Sequence, residues 1–156
     1  MTQPGTEVTI RAAIAADAGA IAAFNCALAL ETEAKALEPN TVLAGVQTLL
    51  TRDGLGFYLV AEVAAEPVAC LLVTYEWSDW RNGLFWWIQS VYVKPEFRRR
   101  GIFRQLYRQV QTLAAADGGV CGLRLYVEQH NHAAQATYET LQMTPTGYLV
   151  FEAPVQ

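Results

Sequence analysis

The residues best suited to chemistry lie in a basic loop between two apolar segments. Residues 94–100 read Lys-Pro-Glu-Phe-Arg-Arg-Arg, and Gly101 follows at the start of a segment with helical spacing. The first turn of a helix leaves main-chain N–H groups without partners, and the helix dipole adds partial positive charge there. Phosphate groups bind readily at such a position, and a glycine lets the backbone approach them closely. The pattern predicts an anion-binding loop, to which Arg98, Arg99 and Arg100 add charge-assisted contacts.

Acidic and aromatic side chains are mixed in two other stretches of the chain. Aromatic faces and carboxylates both attract positive charge, so such a mixture suits a cationic amine, although ordinary surface charge is the alternative. The residues concerned are Glu31, Glu33, Glu76, Trp77, Asp79 and Trp80. For the neighbouring Trp86 and Trp87, packing in the core is the favoured interpretation.

A third group of polar residues surrounds the start of a short helical segment near residue 131. Asn131 is a good N-cap residue, and His130 and His132 flank it. Two histidines at positions i and i+2 do not share a helix face, and no cysteine or carboxylate cluster completes a ligand set. We therefore expect no metal ion, and a catalytic histidine has no further support.

Length and composition indicate one globular domain over residues 1–156. About half of the residues are apolar (53%), yet no run approaches the roughly 20 apolar residues of a membrane span. Residues 1–11 lack a basic start followed by an apolar run, so no signal peptide is expected. Three widely spaced cysteines in apolar surroundings, Cys26, Cys70 and Cys121, indicate free thiols in a reducing, cytoplasmic setting rather than a catalytic cysteine.

The net charge of −4 conceals an uneven distribution of charge along the chain. Residues 1–80 hold ten acidic and three basic side chains, whereas residues 81–156 hold eight basic and five acidic ones. One end of the molecule could thus suit an anion and the other a cation, with solvated surface as the simpler explanation for most of these charges. The negative total and the short basic run argue against a nucleic-acid partner.

The hydrophobic pattern predicts a mixed α/β domain with elements in the order β-α-α-β-β-β-α-β-α-β. Strands are predicted over residues 8–13, 57–63, 68–76, 84–93, 120–127 and 148–151. Helices are predicted after the N-cap Asp17, from Thr41 to about residue 52, over 101–116 and over 131–141. The early strands should form an antiparallel meander. The strand-helix-strand unit from 84 to 127 should be a parallel, right-handed crossover.

At this point the sequence resembles a known family. Arg98-x-x-Gly101-x-Phe103 is similar to the pyrophosphate motif of the GNAT N-acetyltransferase family, Arg/Gln-x-x-Gly-x-Gly/Ala. Phe103 departs from the usual glycine or alanine, so its side chain must turn away from the phosphates. The preceding strand, with apolar residues at 88, 91 and 93 before Pro95, also has the family's spacing.

A second stretch carries the same resemblance independently. Asn131, Ala134, Tyr138 and Leu141 fall at the spacing of the family's Asn-x-x-Ala-x-x-x-Tyr-x-x-Leu-Gly-Phe segment, with Gln-Met at 142–143 in place of Gly-Phe. Together the two motifs span residues 84–143. The resemblance implies a GNAT fold, in which the central parallel strands of a twisted mixed sheet splay apart to admit coenzyme A.

The resemblance further implies a role for each matching residue. Main-chain N–H groups would hold the pyrophosphate, and the strand before the loop would pair with the pantetheine arm. Asn131 and Ala134 would contact the arm, and Tyr138 would protonate the departing thiolate unless it is a core residue. The residues of the loop and strand are Val91, Tyr92, Val93, Arg98, Arg99, Arg100, Gly101, Ile102 and Phe103.

The implied activity is acetyl transfer from acetyl-CoA to a small primary amine by direct attack in a ternary complex. The acidic and aromatic stretches resemble bacterial relatives of diamine acetyltransferases, which favours a polyamine-like acceptor, and the family commonly forms homodimers. Gln89 stands where those enzymes often have a glutamate. The remaining candidates for the general base are Glu33, Glu76, Asp79 and Glu128.

Three other functions remain open at the level of sequence. A protein or aminoglycoside acetyltransferase would share the donor site. A non-catalytic acyl-CoA-binding module would bind the donor without turnover. A nucleic-acid-binding domain would show salt-dependent binding through the arginine cluster. No membrane partner is expected.

Overall fold

A computed structural model describes residues 7–155 of the chain. Residues 1–6 lie outside the described part. The expectation of no signal peptide concerns residues 1–11, so most of it falls on residues that the structure does not describe. The chain divides into two compact units, the first ending at Leu125 and the second beginning at Tyr126. The prediction of a single domain over 1–156 stays a prediction.

Five strands of the first unit form one mixed sheet in which spatial order follows chain order. β1 to β4 run antiparallel to their neighbours, and β4 and β5 are parallel. This confirms both the predicted meander and the predicted parallel crossover. The strands are β1 Val8–Ala12, β2 Gly56–Val63, β3 Glu66–Ser78, β4 Gly83–Val93 and β5 Val120–Leu125.

Three helices of the first unit flank this sheet, and one helix lies in the second unit. α1 and α2 pack on Tyr58, Val60, Cys70 and Leu72 of one sheet face. Intervening residues such as Leu71 point to the opposite face, where α3 buries Ile102, Leu106 and Val110. The helices are α1 Ala18–Glu33, α2 Pro39–Thr51, α3 Ile102–Asp117 and α4 His132–Thr140.

β4 extends beyond its parallel neighbour. β4 and β5 pair from Leu84 and Val120 to Ile88 and Leu125, where β5 ends. β4 continues to Val93, so residues 89–93 have no β5 neighbour on that edge. The predicted splaying of the two strands stays a prediction.

Several predicted boundaries were wrong for identifiable reasons. α2 begins at Pro39 rather than Thr41, because the Glu38 carboxylate accepts hydrogen bonds from the N–H groups of Asn40 and Thr41. β5 ends at Leu125 rather than at residue 127. The strand predicted over 148–151 is absent, since strand-forming composition does not by itself supply the neighbouring strand that a β-strand needs.

Asp17 stands at the N-cap position of α1, as predicted, but its carboxylate bonds to residues that precede the helix. It accepts two hydrogen bonds from Arg11, at 2.7 and 2.9 Å, and one from the N–H of Ile14 at 2.8 Å. Arg11 also donates to Glu62, so this network ties β1 to β2 and to the start of α1.

Within the described residues, no helix has the length and apolar character needed to cross a bilayer.

Candidate functional site

The loop after β4 leads into α3 through a glycine in the left-handed conformation. A short 3₁₀ turn, Pro95–Phe97, follows the strand, and Gly101 (φ 73°) is the N-cap of α3. Apart from its two chain neighbours, no described residue has an atom within 4 Å of a Cβ atom built on Gly101. The N-cap has no side chain that could accept from the first-turn N–H groups, so these donors face an open, positively polarised space.

The three arginines of the loop have different surroundings. Arg98 donates from Nε to the carbonyl oxygen of Val93 at 2.8 Å and from a terminal nitrogen to Glu31 at 2.7 Å. Its guanidinium also lies 5.4 Å from the centre of the Tyr92 ring. Arg98 therefore fastens the loop to β4 and α1. Arg99 and Arg100 are exposed, and the guanidinium of Arg100 lies 5.2 Å from the centre of the Phe97 ring.

The first side chains of α3 turn away from the space in front of the helix. Ile102 is buried in the core. The ring of Phe103 lies 6.2 Å from the ring of Tyr107, one turn further along the helix. The ring of Phe103 therefore lies beside the next turn of α3, which is consistent with the prediction that it turns away from the phosphates, and this stays a prediction.

A β-bulge interrupts β4 just before the loop. Leu72 pairs with Gln89 and Cys70 with Tyr92, so two residues, Ser90 and Val91, lie opposite the single residue between them. Ser90 has a φ of 48°, which is unusual for a residue with a side chain. Bulged residues leave the regular ladder, and β5 has already ended on the other side. Main-chain groups at the bulge can therefore bind a ligand.

The bulge bears on which residue of β4 is free to pair with the pantetheine arm. The carbonyl oxygen of Val93 accepts from Arg98 and is already engaged. Of the two valines expected to pair with the pantetheine arm, Val91 and Val93, only Val91 lies at the bulge. We accordingly assign the expected added-strand contact to Val91.

A groove of about 420 Å³ lies between α1, α2 and the bulge. Its wall combines apolar side chains with a carboxylate and an ammonium group. The lining residues are Asn25, Leu28, Ala29, Thr32, Glu33, Lys35, Leu37, Val42 and Ser90. Of the predicted acceptor residues, Glu33 lies in this groove, and Glu31 lies near it beside Tyr92 and Arg98.

Asn25 belongs to this groove and was not predicted as a site residue. Its amide nitrogen donates to the hydroxyl of Tyr58 at 3.3 Å, while its Oδ1 atom is buried without a hydrogen-bond partner. A buried carbonyl oxygen without a donor is costly and therefore suits a ligand that brings one. The signal available in the sequence was a single amide within an otherwise apolar stretch of α1.

The other predicted acceptor residues lie at the far end of the sheet. Glu76 pairs in register with Phe85, about 16 Å along β4 from the bulge by the rise of a strand. Its carboxylate accepts from Arg124 at 2.6 Å and from the indole N–H of Trp87 at 3.2 Å. These donors already engage the carboxylate, and it lies far from the bulge, which argues against Glu76 as the general base.

The remaining predicted residues of that stretch do not join the groove. Trp77, near the end of β3, and Asp79 and Trp80, in the turn before β4, are exposed. Gln89 donates from its amide nitrogen to the hydroxyl of Thr74 at 2.6 Å, so its side chain is also engaged. The predicted acceptor set is therefore divided between two places.

The cysteines differ in burial. Cys70 is fully buried in the sheet, and this burial raises the pKa of its thiol to about 12. Such a thiol stays protonated at neutral pH and is a weak nucleophile. Cys26 is half-buried and Cys121 is exposed, and all three are free thiols.

The second unit contains the predicted tyrosine and its helix. Tyr138 is half-buried in α4, and burial raises the pKa of its phenol. The side-chain oxygen of Asn131 accepts from the N–H of Ala134 at 3.1 Å, which confirms Asn131 as the N-cap of α4. Between residues 7 and 155, no three His, Cys, Asp or Glu side chains are grouped closely enough to hold a metal ion.

Comparison with known proteins gives concordant matches. A protein-family model described as "Acetyltransferase (GNAT) family" matches residues 23–142. The solved structure of "a possible acetyltransferase from Clostridium difficile 630" is 46% identical, with a TM-score of 0.90, over 96% of this chain and 98% of that one.

Two curated proteins are also similar to this chain. The thialysine N-epsilon-acetyltransferase of Caenorhabditis elegans is 33% identical over 53% of this chain and 50% of its own length. The Bos taurus protein of the same name is 34% identical over 59% of this chain and 61% of its own length. The chain therefore spans about half to three fifths of the length of these relatives.

Proposed function

The chain belongs to the acetyltransferase (GNAT) family, and from this premise we propose that it transfers an acetyl group from acetyl-CoA to a primary amine of a small molecule. One observation carries the proposal: β4 extends past the end of β5, bulges, and leads into a helix that begins at a left-handed glycine. Main-chain donors and arginines then face the same open space. Few ligands other than a diphosphate attached to an extended arm would suit these features together.

The donor site divides into two parts. The N–H groups of residues 99–103, with Arg99 and Arg100, hold the diphosphate. The main chain at Val91 pairs with the pantetheine arm in the manner of an added strand. Arg98 positions the loop through Val93 and Glu31 and does not itself contact phosphate.

The reaction requires an uncharged amine, and an alkylammonium has a pKa of about 10.4. We assign the removal of its proton to Glu33, directly or through one water molecule, because this carboxylate lies in the groove with Ser90. The amine nitrogen then attacks the thioester carbonyl, whose oxygen accepts from the N–H at Val91. As the tetrahedral intermediate collapses, the C–S bond breaks and Tyr138, by our assignment, gives its proton to the departing thiolate. The nitrogen loses its remaining extra proton, which restores the Tyr138 phenol by way of solvent, and Glu33 releases the proton that it took from the ammonium group to bulk water.

Direct transfer in a ternary complex is the proposed route. An acetyl-enzyme would need a thiolate nucleophile, and the pKa of about 12 of the buried Cys70 keeps that thiol protonated. Neither of the other two cysteines lines the groove. The amine therefore receives the acetyl group without a covalent enzyme intermediate.

The groove indicates what kind of amine binds. Leu28, Leu37 and Val42 offer apolar contacts to an alkyl chain, and the unpartnered oxygen of Asn25 can accept from an ammonium group. The wall contains one carboxylate, Glu33, and one ammonium group near it. An acceptor with both amino and carboxyl groups, such as thialysine, matches this mixture, and the polyamine-like acceptor stays a prediction.

We further propose that the enzyme works in the cytoplasm as a homodimer and needs no metal ion. The three free cysteines support a reducing compartment. The dimer is supported by the family resemblance.

The function is tested by measuring thiol release from acetyl-CoA with a panel of amines. The panel contains thialysine, lysine, a diamine, a polyamine, an aminoglycoside and a peptide with a free N-terminus. We expect turnover with a small amine, abolished or reduced at least 100-fold by Glu33→Gln and nearly unchanged by Glu139→Gln, a control on the exposed surface of α4.

The panel also separates the alternatives. Turnover only with the peptide or the aminoglycoside would replace the proposed acceptor. Binding of acetyl-CoA without turnover of any amine would favour a non-catalytic acyl-CoA-binding module.

A further inference from the structure

Ser90 has a backbone conformation that a glycine would adopt at a lower cost. Its φ of 48° lies in the left-handed region, where the Cβ atom of an L-residue comes too close to the following carbonyl oxygen. Residues under such strain persist only where the surrounding structure holds them, and they cluster at functional sites. A serine in place of a glycine at this position therefore indicates a use for its side chain.

Ser90 belongs both to the groove and to the bulge. It is half-buried and contributes to the groove wall together with Asn25 and Glu33. In β4 it is the first of the two bulged residues, and Val91, whose N–H we propose as the donor to the thioester oxygen, follows directly. An amine that binds in the groove and attacks that thioester therefore passes beside the side chain of Ser90.

The peptide group that joins Ser90 to Val91 has a defined orientation. The carbonyl oxygen of Ser90 accepts a hydrogen bond from the buried thiol of Cys70, with 3.6 Å between sulfur and oxygen. The peptide is trans, so its N–H points in the opposite direction from its carbonyl. The N–H of Val91 is consequently directed away from Cys70, and the bulge leaves it outside the regular ladder with β3.

The attack changes the charge on the nitrogen of the acceptor. The free amine is neutral, and its nitrogen becomes positively charged as the bond to the thioester carbon forms. An oxygen atom accepts a stronger hydrogen bond from a charged N–H than from a neutral one. A hydroxyl beside the nitrogen would therefore bind the transition state more tightly than the bound amine, and such a difference raises kcat.

We propose that Ser90 is a catalytic residue whose hydroxyl oxygen accepts a hydrogen bond from the attacking amine and stabilises the positive charge that develops on the nitrogen. The inference rests on the proposed acetyl transfer and adds one residue to it. No covalent bond to Ser90 forms or breaks, and the hydroxyl keeps its own proton. Glu33 remains the group that removes the first proton from the ammonium.

Two variants of Ser90 separate the hydroxyl from the backbone strain. Ser90→Gly removes both, and Ser90→Ala removes the hydroxyl alone. We expect each to lower kcat for the best amine of the panel roughly 10-fold or more, because a hydrogen bond to a charged group is lost. The KM for the amine and the affinity for acetyl-CoA should each change by less than about 3-fold. The melting temperature of Ser90→Gly should equal or exceed that of wild type.

Two control variants change one property each at places away from the groove. Ala64→Gly relieves a positive φ of 51° in the exposed turn between β2 and β3. Ser78→Ala removes the hydroxyl of the other serine, which accepts from the N–H of Arg81 at the end of β3. Both should keep the wild-type kcat and the wild-type affinity for acetyl-CoA.

Steady-state rates, calorimetric titration with acetyl-CoA and thermal unfolding on the same samples decide the outcome. Wild-type kcat in either Ser90 variant would overturn the inference. An equal loss of kcat and of acetyl-CoA affinity would also overturn it, because the effect would then come from the shape of the bulge. A wild type that acetylates no amine would overturn the proposed function and this inference with it, whereas an active wild type with fully active Ser90 variants would overturn the inference alone.

Discussion

Burial determines the protonation state of Tyr138, the proton donor that we propose. Burial disfavours the charged phenolate and raises the pKa of this phenol above its ordinary value of about 10. The group is consequently protonated throughout the neutral range. It can donate a proton to a departing thiolate, but it cannot serve as the base that activates the amine.

Replacing Tyr138 by phenylalanine tests this assignment. We predict a loss of roughly 100-fold or more in kcat with little change in acetyl-CoA affinity, because the missing hydroxyl acts only as the thiolate leaves. Between pH 7 and 9 the ratio of wild-type to variant kcat should stay constant, since the phenol remains protonated. Tyr148→Phe, a second tyrosine of the same unit, is the matched control.

Steady-state rates at several pH values check this prediction. A Tyr138→Phe variant with wild-type kcat would exclude the tyrosine as the proton donor. A ratio that falls toward one well below pH 9 would show that the phenol ionises earlier than its burial implies.

Glu33 and Glu76 show what sequence can and cannot decide about single residues. Both are acidic, and both lie in stretches that suit a cation. Only the fold reveals that the guanidinium of Arg124, 48 positions after Glu76 in the chain, donates a hydrogen bond of 2.6 Å to the Glu76 carboxylate. Contacts between distant segments leave no local signal, so the sequence alone could not show that Glu76 is engaged by Arg124.

At the scale of elements, the unit from β4 to β5 was the part best predicted. A long apolar strand, a basic loop with glycine, an amphipathic segment and a second apolar strand leave little choice but a parallel crossover. The bulge was not predictable, because Ser90 is not a glycine and gives no hint of a φ of 48°. The prediction of a strand at 148–151 was wrong because composition reports the propensity to form a strand and not the presence of a neighbouring strand.

The connection between the loop, β4 and α1 is made by Arg98. We predict that Arg98→Lys weakens acetyl-CoA binding about 5- to 10-fold, because an ammonium cannot reproduce the fork that reaches both Val93 and Glu31. Glu31→Gln should change binding by less than about 3-fold, since this ion pair is substantially exposed.

Calorimetric titration with acetyl-CoA measures both variants. The order of the two effects is the informative quantity. If Glu31→Gln were the more damaging change, the ion pair rather than the bond to the Val93 carbonyl would hold the loop. If neither variant altered binding, the loop would not depend on Arg98 at all.

At the scale of the whole molecule, a buried charge network fixes the start of the fold. Asp17 is nearly inaccessible, and its hydrogen bonds to Arg11 hold the pKa of the carboxyl below its usual range. A carboxyl whose pKa is lower in the folded state stabilises the protein above its unfolded pKa, near 3.9. This contribution is lost as the pH falls through the folded pKa.

Asp17→Asn should therefore lower the free energy of unfolding by about 3 kcal/mol at pH 7, because it leaves the Arg11 charge without its closest partner. The difference from wild type should be constant from pH 5 to 8 and shrink below about pH 4. Urea unfolding at each pH measures it. Asp53→Asn, at an exposed position after α2, should cost little. A pH-independent difference down to pH 3 would show that the carboxylate's charge is not the source of the stability.

The account depends most on main-chain donors at the start of α3 that hold a diphosphate. Titration calorimetry with acetyl-CoA and with S-acetyl-pantetheine, which lacks the diphosphate, tests this directly. We predict binding at least 100-fold tighter for acetyl-CoA. Gly101→Ala should weaken acetyl-CoA binding about 10-fold, through strain at a φ of 73° and a Cβ in the anion's space, without affecting S-acetyl-pantetheine. Equal affinities for the two ligands would contradict the account.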